Sequence, residues 1–208
     1  MAYLVLVRHG VCEGNSKGEW VGWSDSPITT AGIKEAQDAG KLLADIRFSV
    51  AYSSDLLRTK QTLHFILKTL HEENIPIIES KEMKERNYGD YTGKNKWEVK
   101  NQVGEVEFTN IRRGWDYPIP NGESLKQVYD RSVPYYQQSV LPHLVSGKNV
   151  LIVGSGNSLR ALIKYLEHIS DQDIARLEIA TGEVLVYTLD ATGNMVRKEK
   201  RTQKPNTV

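Results

Sequence analysis

The chain of 208 residues contains one cysteine, Cys12. No internal disulfide is therefore possible, and no zinc site built from several cysteines. A lone thiol suits a reducing setting, so a cytoplasmic location is expected. Long hydrophobic runs are also missing. The first apolar run, residues 3–7, stops at Arg8, too short for a signal-peptide core or a membrane span. No membrane partner is expected. An excess of either charge is absent too: 27 Lys and Arg face 26 Asp and Glu, a formal sum of +1. That excludes disorder driven by self-repulsion and argues against a generally basic nucleic-acid binder. Low-complexity tracts and repeats of solenoid period do not occur.

What remains is ordinary globular composition, 39% hydrophobic and 25% charged, at a length that suits one domain carrying an insert. Residues 3–7 read as a buried strand running into the turn Arg8-His9-Gly10. Ile33, Ala36, Gly40, Leu43 and Ala44 follow helical spacing over 30–46, with Thr29 or Thr30 as cap. A strand at 50–53 and a helix over 55–73 follow. Residues 75–78 read as a third strand, with Pro76 at its start or on a sheet edge. From 79 to 120 the pattern weakens into turns and two short helices, 97–103 and 105–113. Ser124-Leu125-Lys126-Gln127 has the form of a capping box and opens a helix towards Leu144, bent or restarted at Pro134. A strand at 149–153, a Gly-Ser-Gly turn and a helix over 157–168 come next. Ser170 can cap a short helix to Leu177. A last strand at 184–189 carries a hairpin arm, 193–200.

Strands alternating with helices predict a three-layer α/β/α fold with a mainly parallel sheet. Residues 1–200 read as one domain with a cap inserted at about 79–120, and 201–208 as a loose polar tail. Ligands in such sheets sit beyond the carboxyl ends of the strands. The turns at Arg8-His9-Gly10 and Gly154-Ser155-Gly156 therefore matter most.

A histidine beside an arginine at a strand end can accept a phosphoryl group. Neutral imidazole is nucleophilic near pH 7, and guanidinium offers a donor fork to phosphate. The tripeptide also arises by chance in roughly one or two chains in a hundred, so His9 could equally be a loop histidine with an unrelated neighbour. Arg112-Arg113 alone reads as a solvated face, Glu85 as one acid in a charged run, and Lys94 and Lys96 carry no signal. Cys12 reads as buried and structural. His64, His71, His143 and His168 lack metal-ligand spacing and fall on helix surfaces.

Longer stretches are more specific. Leu6-Val7-Arg8-His9-Gly10, Asn15, Gly22-Trp23 and the cap at 29–32 resemble the opening of the histidine phosphatase superfamily, and within it the cofactor-dependent phosphoglycerate mutases. Ser53-Ser54-Asp55-Leu56-Leu57-Arg58 is similar to the block that supplies a phosphate-binding arginine. Lys84-Glu85-Arg86-Asn87-Tyr88-Gly89-Asp90, Gly93-Lys94-Asn95-Lys96, Arg112-Arg113 and Gly156-Asn157-Ser158-Leu159-Arg160 are similar to further mutase blocks. The likeness runs from Leu4 to about Leu189. It implies that His9 is transiently phosphorylated and that Arg8 and Arg58 hold the transferring group. It makes Glu85 the proton donor and acceptor. Lys94, Arg112, Arg113 and Tyr88 would bind the carboxylate and second phosphate of a phosphoglycerate. Asn15, Val21, Gly22, Gly156 and Asn157 would line the pocket. The implied reaction interconverts 3- and 2-phosphoglycerate, primed by 2,3-bisphosphoglycerate and needing no metal.

One departure is large. The family's turn reads His-Gly-Asn-Ser-Leu-Arg, whereas Ser155 stands here where the second catalytic histidine belongs. Serine can donate one hydrogen bond but is shorter and uncharged. The implied enzyme is therefore impaired. Val21 also stands where the mutases carry a hydroxyl residue, and a segment found after Arg113 in longer mutases is missing, which favours a monomer. Two other functions compete. One is a phosphatase of the same superfamily acting on sugar phosphates; the other is a non-catalytic phospho-ligand binder. The near-zero charge sum is expected to hide a cationic pocket of Arg8, Arg58, Lys94, Arg112 and Arg113, with Asp38, Asp45, Glu72 and Glu73 on outer helix faces.

Overall fold

The computed structural model describes residues 1–202. In chain order the elements are β1 (Ala2–Arg8), α1 (Glu13–Ser16), α2 (Thr30–Leu42), β2 (Val50–Ser53), α3 (Leu57–Leu70), β3 (Ile77–Glu79), α4 (Lys96–Val103), α5 (Glu105–Arg113), α6 (Leu125–Tyr135), α7 (Leu141–Val145), β4 (Val150–Gly154), α8 (Gly156–Leu166), β5 (Val184–Leu189) and β6 (Met195–Arg201). The six strands form one sheet in the order β3-β2-β4-β1-β5-β6. β3, β2, β4 and β1 run parallel. β5 and β6 run antiparallel to their neighbours, so the sheet is mixed at one side.

The central strands are apolar on both faces because helices cover both faces. Leu4, Leu6, Val150 and Ile152 pack with Tyr136, Leu144, Leu159 and Leu162. Their strand neighbours Val5, Val7, Leu151 and Val153 point the other way and meet Ala36, Leu43, Leu63 and Ile66 of the α2 and α3 layer. The alternation of side chains along each strand thus builds two cores from one sheet. No helix among the described residues is long and apolar enough to cross a membrane.

Several expected boundaries move. α2 stops at Leu42 and the chain tightens into a turn, the Leu43 N–H donating to the Gly40 carbonyl at 3.0 Å. β3 starts after Pro76 and lies at the sheet edge, where a residue without an N–H is tolerated. The Ser124 capping box forms, with the Gln127 side chain accepting from the Ser124 N–H at 2.8 Å. α6 runs through Pro134, and the irregularity falls later, as a π-helical turn over Tyr136–Val140. Pro142 explains it: it has no N–H for the carbonyl four residues back, and the wider turn relieves the clash of its ring. Arg201 does not belong to the expected tail. Arg201 is the last residue of β6, and its guanidinium holds the Leu42 carbonyl and the Asp45 carboxylate. Positions 203–208 lie outside the described residues. Glu72 is not on an outer face but buried, accepting from the Phe48 N–H at 3.2 Å.

Between β3 and α6 the chain makes two short 3-10 turns and helices α4 and α5. This stretch has its own small core of Val99, Phe108, Ile111 and Ile119 around Trp20. Gly89 turns there with φ +49°, and a Cβ at this position would lie 2.0 Å from the Pro120 carbonyl oxygen. Only glycine meets both conditions.

Candidate active site

Parallel pairing of β1 with β4 sets Arg8 opposite Gly154. The carboxyl ends of the two strands therefore lie side by side, and the His9 N–H donates to the Gly154 carbonyl at 2.9 Å. Above them opens a cleft of about 740 Å³, solvent mouth included. Its walls include Arg8, His9, Asn15, Val21, Gly22, Arg58, Glu85, Tyr88, Arg112, Arg113, Gly156 and Asn157. Residues more than a hundred positions apart thus meet at one end of the sheet.

His9 is 2% exposed. Its Nδ1 lies 2.8 Å from the Gly10 carbonyl oxygen, which can only accept. Nδ1 therefore carries the proton, and Nε2 keeps its lone pair. Burial lowers the imidazole well below its ordinary value, and the Arg58 and Arg8 charges push the same way. The ring stays neutral at pH 7, as a nucleophile requires.

Arg58 is 1% exposed and is held rigidly by the Gly22 and Ser24 carbonyls at 2.7 and 3.1 Å. Burial lowers its pKa, and Glu85 opposes that shift. Arg8 donates to the Ile179 carbonyl, while its buried Nε has no partner among the described residues. An unpartnered donor on the wall of a polar cleft is a position from which an anion can be held.

Glu85 reaches the first turn of α8. Its Oε1 accepts from the Arg86 N–H at 2.7 Å and the Asn157 N–H at 3.1 Å. Its main-chain carbonyl accepts from Trp23 Nε1 at 2.6 Å. The carboxylate thus sits at the positive end of a helix and is anchored on both sides. Asn157 Nδ2 donates to the Tyr88 hydroxyl at 2.9 Å. Cys12 is buried, its Sγ donating to Asn15 Oδ1 at 3.2 Å, which orients the Asn15 amide.

Two expected site residues lie elsewhere. Lys94 is exposed and does not line the cleft; its ammonium lies over the Tyr91 ring. Lys96 takes that place. Asn95 caps α4, accepting from the Trp97 N–H at 2.9 Å, so Lys96 becomes the first helical residue and turns to the cleft. Burial lowers the Lys96 pKa, with Arg112 and Arg8 adding to the shift. The Asn95 cap signal could have separated the two lysines. Ser155 is fully buried and is not part of the cleft wall. It precedes α8 with extended backbone, and its hydroxyl has no partner among the described residues.

Glu19, Trp20, Arg160, Glu178 and Ile179 also line the cleft. Arg160 closes the 156–160 block; no local pattern marks the other four. Glu178 is 71% exposed at its side chain and forms an ion pair with Arg113. Burial and the neighbouring Arg112 draw Arg113 down to about 10, so it remains a cation at pH 7. Among the described residues no group of three or more His, Cys, Asp or Glu side chains is placed to hold a metal ion.

Comparison with known proteins gives consistent relatives. Residues 4–201 match the model of the histidine phosphatase superfamily (branch 1). The chain is 42% identical over 198 residues to a 2,3-bisphosphoglycerate-dependent phosphoglycerate mutase of Parvibaculum lavamentivorans, covering 94% of each chain. It is 41% identical to a phosphoglycerate mutase of Schizosaccharomyces pombe with the same coverage. Among solved structures it is similar to YhfR of Bacillus stearothermophilus, with TM-score 0.82 at 26% identity over 94% of each chain. The fold also matches phosphoglycerate mutase of Bacillus anthracis, with TM-score 0.74 at 24% identity, covering 94% of this chain and 90% of that one.

Proposed function

The chain belongs to the histidine phosphatase superfamily and, within it, to the 2,3-bisphosphoglycerate-dependent phosphoglycerate mutases, and we propose on that premise that it interconverts 3-phosphoglycerate and 2-phosphoglycerate through a phosphorylated His9, at a reduced rate. The observation that carries the chemistry is the buried neutral imidazole with Nε2 free and two arginines beside it. 2,3-Bisphosphoglycerate would supply the priming phosphoryl group. The cluster of Arg8, Arg58, Lys96, Arg112 and Arg113 around the cleft fits so anionic a molecule.

In the forward direction His9 Nε2 forms a bond to phosphorus as the bond from phosphorus to the substrate oxygen breaks. Glu85 supplies the proton that the departing oxygen takes up, and recovers one from the hydroxyl that attacks phospho-His9 next. Arg8 and Arg58 stabilise charge on the phosphoryl oxygens in transit. Lys96, Arg112, Arg113 and Tyr88 hold the carboxylate and the second phosphate, with Asn15, Gly22 and Asn157 completing the wall. Residues 79–120 act as a cap that limits the entry of water, which would otherwise turn transfer into hydrolysis. The lone buried thiol agrees with work in the cytoplasm, and a monomer is the proposed state.

The reduced rate rests on Ser155. The resemblance implies a histidine at this turn that donates to the phosphoryl oxygens, and the serine in its place is shorter, uncharged and buried. The deciding experiment is a steady-state mutase assay primed with 2,3-bisphosphoglycerate, with inorganic phosphate measured in parallel. Slow isomerisation exceeding phosphate release supports the reading. Phosphate release faster than isomerisation would replace it by a phosphatase. Tight 3-phosphoglycerate binding with neither product would replace it by a binding protein.

A further inference from the structure

Apart from Arg58 beside His9, two arginines among the described residues are buried with no ion-paired carboxylate. Arg86 is 0% exposed and Arg160 is 3% exposed, and neither forms an ion pair among the described residues. A buried guanidinium without a counter-charge is expensive, and an apolar side chain would pack there more cheaply. Their hydrogen bonds have a common target. Arg86 Nη2 donates to the Ile111 and Arg112 carbonyls at 2.9 and 3.1 Å. Arg160 Nη2 donates to the Arg113 carbonyl at 3.3 Å and the Ile174 carbonyl at 2.7 Å. Three successive carbonyls at the carboxyl end of α5 are thereby held by two cations. These are among the groups a helix leaves without partners, at the negative end of its dipole.

The same two arginines are linked across the cleft. Arg160 Nη1 donates to Asn157 Oδ1 at 2.8 Å, which orients the amide so that Nδ2 donates to the Tyr88 hydroxyl. The Tyr88 ring in turn lies 4.6 Å from the Arg86 guanidinium carbon. Arg160, Asn157, Tyr88, Arg86 and the end of α5 form a closed circuit. Arg112 and Arg113 project into the cleft from the segment that this circuit grips. His9 and Arg58 are held separately, by Gly10, Gly22 and Ser24.

We infer that Arg86 and Arg160 are positioning residues that fix Arg112, Arg113, Tyr88 and Asn157 as one unit, and so set affinity for the end of the ligand that is not being transferred. Affinity for the transferring phosphoryl group does not depend on them. The inference rests on the mutase reading for the identity of the ligand, but not for the grip on α5.

The test uses Arg86→Met and Arg160→Met, with Arg86→Lys and Arg160→Lys as conservative variants. Binding of 3-phosphoglycerate and of inorganic phosphate is measured by calorimetry. Hydrogen exchange is followed at residues 105–114 and, as control, at 150–154. The methionine variants should weaken 3-phosphoglycerate binding roughly tenfold or more, as loss of charged hydrogen bonds does. Phosphate binding should stay within about twofold. Exchange should quicken over 105–114 and not over 150–154, and the lysine variants should recover part of both effects. Unchanged exchange over 105–114 would overturn the inference, and weakened binding beside it would make the arginines direct ligand contacts. Equal weakening of both ligands would overturn it too, as general loosening. A wild-type chain that does not bind 3-phosphoglycerate would count against the mutase reading alone, because the exchange comparison still decides the role of the two arginines.

Discussion

The Nδ1–H of His9 donates to the carbonyl of Gly10 at 2.8 Å. That bond decides which ring nitrogen faces the cleft and is available for phosphorus. His9→Gln should abolish labelling of the protein by 2,3-bisphosphoglycerate. The check is phosphorus NMR or acid-labile phosphate on the isolated chain: wild type should carry about one phosphoryl group per chain, the variant none.

The same burial makes a pH prediction. The His9 pKa lies below 6.5 in the folded chain, so the unfolded chain takes up a proton first as pH falls. His9 therefore contributes least destabilisation above 6.5, and its penalty grows as pH falls from there towards the folded value. Urea midpoints of wild type and His9→Gln should shift relative to each other between pH 7.5 and 5.5, with the variant gaining on wild type at the lower pH. A constant difference would show that the imidazole is not held neutral.

Ser155→His should raise mutase turnover by about 100- to 1000-fold, the usual effect of one preorganised donor at a transferring group. Equal rates in the two proteins, with the variant folded by its thermal transition, would show that position 155 does not limit the reaction.

Lys96→Met and Lys94→Met separate two lysines that are two residues apart. The first should weaken 3-phosphoglycerate binding by about tenfold, because Lys96 lines the cleft and Lys94 does not. The second should leave it nearly unchanged. Calorimetric titration of both variants is the measurement.

Glu178 occupies Arg113 with a carboxylate, and a bound anion must compete with it. Glu178→Gln should tighten 3-phosphoglycerate binding by roughly two- to fivefold, the scale of an exposed ion pair. Weaker binding in the variant would mean that Glu178 orients Arg113 instead of competing for it.

Gly89→Ala tests the turn that brings the two ends of the 79–120 stretch together. The positive φ and the 2.0 Å approach to the Pro120 carbonyl leave no room for a methyl group. Denaturant unfolding should show a loss of about 1–3 kcal/mol, the range for an overpacked site. An unchanged midpoint would show that the turn can open freely.

Much of the architecture was legible because it depends on local periodicity. The apolar run before Arg8, the helical spacing from Ile33 to Leu43 and the Ser124 capping box each act over a few residues, and each element formed where expected. Of the boundaries that moved, the π turn was set locally by Pro142, and the last residue of β6 by the long-range Arg201 contact with Asp45. In the site, His9, Arg58, Glu85 and the Arg112-Arg113 pair lie in motifs and reach the cleft. Lys96 was missed because residue type alone does not separate it from Lys94; the Asn95 cap, which makes Lys96 the first residue of α4, does.

By itself the sequence determined the class of fold, the lack of an internal disulfide, and the motifs in which Arg8, His9, Arg58 and Glu85 lie, with Ser155 at the position where the resemblance implies a histidine. These follow from side-chain chemistry and from patterns of two and 3.6 residues. Only the tertiary structure decided which cations share the cleft, that the Ser155 hydroxyl is buried, and that Arg86 and Arg160 donate to the carbonyls at the end of α5. Those facts depend on the parallel registry of β1 with β4 and on contacts across 26 and 47 positions of chain. A net charge of +1 says nothing about them, because charges are summed along the chain but act according to where the fold puts them.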